Sequence, residues 1–232
     1  MKTRQLSTLT LLLALFLTAI SSGCTKESEP AYFYGPCYDF ANIESYTSDE
    51  IYFTAFAPNS DLSGTLMGTW ESISAPEKYP VGTRVLITYN VTSAITSPDP
   101  SVSAIQLTDI AAADVVIPKE ADPDSCTVGS EKATLVMQPY RGGNFINFMI
   151  RLPKANDREF ICNYDMTASD ADPVQLYLTS KIRANTQTDE ETSVALYPVS
   201  IDISSIRETA GNKGLIVNLA VDEGSSAFNF SF

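Results

Sequence analysis

The chain has 232 residues with 15 basic and 28 acidic side chains, no histidine and a formal net charge of −13. This acidic balance lacks the basic footprint that neutralises phosphates, so we expect no nucleic-acid partner. The absence of histidine excludes a Ser-His-Asp triad, a Cys-His pair and a histidine-ligated zinc or haem site.

The first 23 residues have the pattern of a secretory leader. Two basic residues precede the apolar run LSTLTLLLALFLTAI (6–20), which is shorter than the roughly 20 residues that span a bilayer and matches a signal-peptide core. Small residues at 21–23 stand directly before Cys24, as in the lipobox of bacterial lipoproteins, although Ser21 replaces the usual leucine. We predict that residues 1–23 are removed and that acyl chains on Cys24 anchor the protein to a membrane. Ordinary secretion, with Cys24 as a plain thiol, is the alternative.

Residues 24–31 are polar and charged and are predicted to form a lipidated, flexible tether. Lys26 and the acidic residues after it resemble the surface-export signal of lipoproteins from the Bacteroides group, while a solvated spacer explains them equally well. We therefore predict an outer-membrane lipoprotein and leave the periplasmic and surface faces both open. Without its leader the chain carries 28 acidic and 13 basic side chains, a net charge of −15, which also argues against polybasic attachment to anionic lipid.

Residues 32–115 have the alternating apolar pattern of short strands. In the clearest of them, TRVLITYNVT (83–92), Val85, Ile87 and Tyr89 share one face, and Ile105 and Leu107 alternate in the same way. Several such strands separated by turn residues predict a small barrel or sandwich. The other predicted strands in this part are IYFTAFA (51–57), GTLMGTWESI (64–73) and SAIQLTDI (103–110).

Residues 116–127 collect two prolines and several acidic side chains and are predicted to be a linker. Residues 128–232 then contain seven period-2 segments, which predict a seven-stranded antiparallel β-sandwich. A hairpin turn is expected at Arg141-Gly142-Gly143. In the last segment Phe228, Phe230 and Phe232 share a face, and we expect a closing strand of the sandwich there.

Four motifs together resemble the NigD-like lipoproteins of Bacteroides-type bacteria: VGTRVLITYNVT (81–92), IQLTDI (105–110), NFINFMI (144–150) and VSIDISSIR (199–207). The resemblance runs from about residue 31 onward, and the frequent Asp run after the lipidated cysteine is missing. It implies an all-β fold in which a small OB-like barrel, residues 32–115, precedes the β-sandwich. It implies no established activity, cofactor or catalytic residue.

Cys37, Cys126 and Cys162 remain after lipidation of Cys24. We expect Cys162 to be a buried core thiol, because it alternates with aromatic residues in FICNY. Cys37 and Cys126 either form a disulfide or stay as two buried thiols, and the sequence leaves both alternatives open.

No catalytic or metal-binding motif is present, including G-x-S-x-G, S-x-x-K and the P-loop. Paired carboxylates of the glycosidase kind are the one open enzymatic chemistry. Calcium would be the ion of choice for the acidic loops 119–125 and 169–173, although neither has EF-hand spacing. We predict no enzyme, no cofactor and no metal site. The carboxylates weighed for catalysis are Asp165, Asp170, Asp172, Asp189, Glu190 and Glu191.

The aromatic side chains Tyr32, Tyr34 and Trp70 are the candidates for stacking on a ligand, since OB-type barrels also bind oligosaccharides. Packing of these rings against their own barrel is the simpler interpretation. The function predicted from sequence is a non-catalytic, lipid-anchored envelope protein with a binding or structural role and an unknown protein or glycan partner. A surface glycan-binding module and a fimbria-type assembly subunit are the alternatives, and the oligomeric state stays open.

Overall fold

The computed structural model describes residues 32–69, 79–92, 99, 101–165, 172–183, 193–223 and 226–232. Fifteen strands dominate these residues, so the all-β prediction is confirmed. No helix in the described ranges is long and apolar enough to cross a bilayer. The helical segments are α1 (Arg207–Ala210) and short 3-10 turns at Pro123–Ser125 and Gly211–Lys213.

The first five strands close into a barrel in the order β1-β2-β3-β5-β4. All neighbours are antiparallel except β3 and β5, which run parallel. This is the OB-like barrel that the resemblance implied. The strands are β1 (Tyr32–Tyr46), β2 (Glu50–Phe56), β3 (Ser63–Thr69), β4 (Arg84–Thr92) and β5 (Val102–Ala112).

Alternate residues of these strands fill the barrel. Val85, Ile87 and Tyr89 of β4 are buried on the predicted common face, and Ile105 and Leu107 of β5 join the same core. Branched and aromatic side chains at every second position suit a pleated strand that packs on one face.

Ten further strands form a sandwich of two five-stranded sheets. One sheet has the order β6-β13-β10-β8, with β9 also paired to β10, and the other has the order β15-β14-β12-β11-β7. The strands are β6 (Asp114–Val116), β7 (Lys119–Glu120), β8 (Thr134–Leu135), β9 (Tyr140–Gly142), β10 (Phe145–Pro153), β11 (Arg158–Tyr164), β12 (Val174–Ile182), β13 (Val194–Asp202), β14 (Leu215–Asn218) and β15 (Ala227–Phe230).

The expected strand count and orientation differ from the structure. The described residues contain ten sandwich strands, not seven, and three strand pairs are parallel: β6 with β13, β7 with β11 and β12 with β14. Strands of two or three residues are too short to show an alternating side-chain pattern. They are defined by their main-chain pairing, which the sequence pattern does not reveal. Segment 116–127, predicted to be a linker, gives Val116 to one sheet and Lys119–Glu120 to the other.

The sandwich core lies between the two sheets. Phe148 of β10 meets Phe228 of β15 edge to face at 5.8 Å, and Phe160 of β11 meets Tyr197 of β13 at the same distance. Phe230 is buried as well, whereas Phe232 lies beyond β15 and is 38% exposed. The last strand therefore pairs with β14 and closes the core with two of its three predicted aromatic rings.

A buried arginine joins the barrel to the sandwich. Arg84 begins β4 and is 3% exposed. Its guanidinium donates to Asn42 Oδ1 in the barrel at 2.9 Å, and to Ser200 Oγ at 3.0 Å and Asn147 Oδ1 at 2.9 Å in the sandwich. All three acceptors are neutral, so hydrogen bonds rather than a salt bridge hold this charge.

Aromatic rings surround the Arg84 guanidinium. Its central carbon lies 4.0 Å from the ring centroid of Phe145 and 5.9 Å from that of Phe40. Burial lowers the pKa of Arg84 to about 10, so the group stays charged at neutral pH. The arginine therefore acts as a polar centre within an otherwise apolar junction.

A second junction is built on the β2–β3 hairpin. Asp61 accepts from Arg141 Nη1 at 2.8 Å and from Arg207 Nη2 at 2.7 Å, and these two bonds lower the pKa of Asp61 to about 2. The ring of Phe232 lies 5.7 Å from the Arg141 guanidinium and 5.2 Å from that of Arg207. A barrel carboxylate thus pairs with two sandwich cations.

Gly143 lets the two hairpins approach. It has φ +58° and donates its N–H to Ser60 O at 2.9 Å. A Cβ on Gly143 would stand 2.8 Å from the Phe56 ring. The predicted hairpin is present, but its turn lies at Gly143 and Asn144, because Arg141 and Gly142 pair with β10 as part of β9. Glycine is required at 143 both for backbone conformation and for space.

We predict that Arg84→Ala lowers the free energy of unfolding by about 2–4 kcal/mol, because the truncation removes the arginine donor from the half-buried Asn42 Oδ1 and from the buried Ser200 Oγ, and leaves Asn147 Oδ1 with Ser200 alone as its donor. Urea unfolding measures this change. Arg183→Ala is the control, since the Arg183 side chain is 69% exposed and its removal should cost less than about 1 kcal/mol. Equal losses in the two variants would contradict the junction role.

We predict that Gly143→Ala costs about 1–3 kcal/mol more than Gly82→Ala, because only the first places a methyl group against a ring. Gly82 has φ +87° with no atom within 4 Å of an added Cβ, so it serves as the control for backbone strain alone. Urea unfolding of both variants gives the difference. Equal destabilisation would show that the Phe56 contact adds nothing.

Candidate functional site

The residues predicted to carry the anchor and the ligand contacts lie largely outside the described part of the chain. Cys24 and Trp70 are both outside it. Tyr32 and Tyr34 belong to β1, where their main chains pair with Thr92 and Val91 of β4, but their side chains are outside the described set. Lipidation and ring stacking therefore stay predictions.

The face of an OB-type barrel that usually takes ligands is formed by its second and third strands. Here Tyr52 of β2 stands opposite Met67 of β3 and donates its hydroxyl to Glu50 at 2.7 Å. Met67 is 2% exposed. This described part of the face thus has one tyrosine ring bonded to a carboxylate, and its neighbour Met67 is buried.

The carboxylates weighed for catalysis do not form a described site. Asp165 is half-buried and Asp172 is exposed, while the positions at 170 and 189–191 lie outside the described residues. Within the described ranges, no group of three or more Cys, Asp or Glu side chains is arranged to hold a metal ion. The loop at 119–125 is included in that search, and part of 169–173 falls outside it.

Cys37, Cys126 and Cys162 are free thiols. Cys37 is half-buried in β1 of the barrel, whereas Cys126 and Cys162 are buried in the sandwich. Burial raises the pKa of Cys162 to about 12. The structure therefore has the two-thiol alternative, and Cys162 is the core residue that the pattern predicted.

A polar cleft of about 350 Å³ opens on the side of the sandwich. We call it the lateral cleft. It is lined by residues 114–116 of β6, by residues 156–160 around the start of β11, and by Arg183 just after β12. β6 and β11 belong to different sheets, so the cleft lies where the edges of the two sheets face each other.

Two arginines of the lateral cleft already have anionic partners. Arg158 makes a two-pronged ion pair with Glu131, which also accepts from Ser180. Arg183 pairs with Glu159 at 3.0 Å. The cations of the cleft are thus largely neutralised by the protein itself.

Asp114 differs from the other charged groups of the lateral cleft. It forms no ion pair with a described residue, and burial raises the pKa of its carboxyl. Asp114 is exposed at the surface of the edge strand β6, and a cation beside its carboxylate would stabilise the charged form. Asp114 was not predicted from the sequence, because the residues next to it in the chain do not show that a strand begins there.

A second carboxylate that the sequence did not single out is Asp39 of β1. It accepts a hydrogen bond from the Tyr89 hydroxyl at 2.5 Å. Burial raises the pKa of Asp39, and the bond from Tyr89 opposes that rise. No basic side chain forms an ion pair with Asp39 among the described residues. The pair is a polar contact between the neighbouring strands β1 and β4.

No family model and no curated protein matches the chain. Solved structures do match it. A DUF1344 protein of unknown function from Bacteroides vulgatus is 16% identical, with a TM-score of 0.58 over 85% of this chain and 91% of that one. A NigD-like immunity protein from Bacteroides caccae is 14% identical, with a TM-score of 0.54 over 86% of this chain and 93% of that one. The chain has the NigD-like fold.

A candidate lipoprotein from Bacteroides fragilis shares this fold at 13% identity, with a TM-score of 0.52 over 86% of this chain and 97% of that one. The likeness covers both the barrel and the sandwich, so it concerns the whole two-part architecture. At these identities it shows the NigD-like fold and carries over no site residue. The resemblance seen in the sequence motifs is therefore confirmed as a fold.

We predict that Asp39→Asn removes a component of the pH dependence of stability. Because the folded-state pKa of Asp39 is raised, this carboxyl contributes stability that is present at acid pH and is lost as the pH rises through that pKa. Urea unfolding between pH 4 and pH 7 should therefore show that the free energy of unfolding of the Asn variant, relative to that of the wild type, increases as the pH rises. Glu44→Gln, an exposed position on the same strand, should run parallel to the wild type. A parallel Asp39→Asn curve would refute the burial effect.

Proposed function

We propose that this protein is a non-catalytic lipoprotein of the NigD-like family, anchored to the outer membrane through Cys24 and acting by binding a partner. The observation that carries the proposal is the joint occurrence of a lipobox-type leader and the NigD-like fold. One structure with that fold is a candidate lipoprotein and another is a NigD-like immunity protein. The body from residue 32 onward is then presented at the membrane by the tether at 24–31.

The lack of catalysis is supported by the chemistry of the described residues. The sequence has no histidine, which removes the usual general base. The arginines of the lateral cleft pair with carboxylates, the thiols have raised pKa values, and Asp39 bonds to a phenol. None of these groups is an activated nucleophile.

A binding role is supported by the lateral cleft. Its two strand edges and Asp114, which forms no ion pair with a described residue, make a concave, charged surface. The alternative role as a glycan-binding module depends on Trp70, Tyr32 and Tyr34 and gains no support from the described part of the barrel. The fimbria-type alternative requires strand addition between copies, which the experiment on the lateral cleft below tests directly.

The anchor is tested by comparing wild type, Cys24→Ser and Cys37→Ser in the native host. We predict that the wild type and Cys37→Ser partition into detergent and co-sediment with outer membranes, because two or three acyl chains bind a bilayer firmly. Cys24→Ser should lose both properties. Intact mass should show acyl chains on the mature proteins that retain Cys24.

Cys37→Ser is the matched control because it removes another thiol and leaves the leader intact. An unmodified amino end on the wild-type protein, or membrane attachment of Cys24→Ser equal to that of the wild type, would refute the proposal. Protease treatment of intact cells then assigns the face, since only a surface-exposed body is cleaved before the membrane is broken.

A further inference from the structure

Strand β11 has an incomplete set of neighbours. On one side it pairs with β12 along its whole length, Arg158–Tyr164. On the other side it pairs with β7 only at Asn163 and Tyr164. Among the described residues, positions 158–162 therefore have no strand partner on that side, and such an edge is a template for further pairing.

The direction of the main-chain groups follows from two hydrogen bonds. The carbonyl of Asp157 accepts from Arg183 at 2.9 Å, so position 157 faces β12, whereas the carbonyl of Tyr164 accepts from the chain leaving β7 at 3.0 Å and faces away. Since direction alternates along an antiparallel ladder, the N–H and C=O groups of Arg158 and Phe160 also face away from β12. These are the groups of the open edge.

The lateral cleft lies at this open edge. Residues 158–160 line it on the β11 side and β6 lines it on the other. The chain crosses from β6 to β7 through Ile117 and Pro118, and the cleft lining on β11 ends at Phe160, before Cys162. The accessible part of the edge is therefore short, and it offers the N–H and C=O groups of two residues.

We infer that the lateral cleft binds an extended peptide strand carrying a basic side chain. The main chain of the peptide pairs with Arg158 and Phe160 and adds a strand to the sheet beside β7. The Lys or Arg side chain of the peptide reaches Asp114, the carboxylate that lacks a counter-charge. This inference deepens the proposed function, because it rests on a binding role and names the class of partner.

Charge distinguishes a basic peptide from a second copy of this chain. The mature chain carries a net charge of −15, so two copies repel each other when their surfaces approach. A second copy offering its own β11 edge would also bring another Asp114 carboxylate towards the first. A basic strand instead supplies a counter-charge to that carboxylate while it fills the edge.

The test uses the full mature protein in detergent micelles and a set of acetylated, amidated five-residue peptides. In these peptides Val, Ile or Thr alternates with Lys or Arg, and each peptide has an acidic twin in which Glu replaces the basic residue. A second twin is N-methylated on the edge that would pair. Binding is measured by titration, and hydrogen exchange reports the amides of β11.

We expect at least one basic peptide to bind and to slow exchange at the Arg158 and Phe160 amides. Its acidic and N-methylated twins should not do so. Asp114→Asn should weaken binding about fivefold, as expected for the loss of one surface ion pair at the upper end of the usual range. Asp124→Asn, which removes an exposed carboxylate outside the cleft, should leave the affinity unchanged.

Three results would overturn the inference. One is the absence of binding by every basic peptide, and another is binding that leaves the Arg158 and Phe160 amides unprotected. The third is protection of these amides that grows with protein concentration alone, which would assign the edge to a second copy and favour the fimbria-type alternative. Because the anchor is judged by mass and fractionation, each of these results leaves the lipoprotein assignment standing.

Discussion

The structure depends on one buried charge. Arg84 stands at the start of β4, and its guanidinium reaches across the junction to neutral oxygens of Asn42, Asn147 and Ser200. A buried cation requires its hydrogen-bond acceptors to stay in place, because losing one leaves the desolvation of the charge uncompensated. Losing an apolar contact has no such cost. We expect this requirement to fix the angle between barrel and sandwich more strictly than the surrounding apolar contacts, which tolerate small shifts.

The same residue links the junction to the lateral cleft. The carbonyl of Arg84 accepts from the N–H of Ala113 at 2.9 Å, and Asp114 follows directly as the first residue of β6. The main chain of Arg84 thus helps to set where β6 begins, and the side chain of Arg84 helps to position the sheet that contains β10 and β13. The wall of the cleft that carries Asp114 is therefore a consequence of the junction, and we expect changes at Arg84 to reach the cleft without touching it.

The sequence predicted the parts of the fold in which side chains carry a period. Val85, Ile87 and Tyr89 lie on one buried face because every second side chain of a pleated strand points to the same side of the sheet. The short strands β6 and β7 were not predicted, because main-chain pairing to distant partners holds them and their polar, proline-containing sequence shows no strand pattern. The role of Arg84 was not predicted for a related reason. An arginine at the start of a strand is ordinarily solvated, and its acceptors lie 42, 63 and 116 positions away. The position of Asp114 depends on both of these unpredicted features. The candidate site was therefore harder to predict from the sequence than the fold.

An open strand edge invites uncontrolled pairing, and the molecule limits this risk through charge. The exposed side chain of Glu159 stands on the edge itself, and a charged side chain on an edge discourages association with another sheet. The acidic surface of the whole chain separates identical copies over about a Debye length, roughly 8 Å at physiological ionic strength. These two features oppose an acidic strand more than a basic one. The acidic charge that opposes self-association also favours a basic peptide, so both the affinity for such a peptide and the solubility should fall as salt is raised.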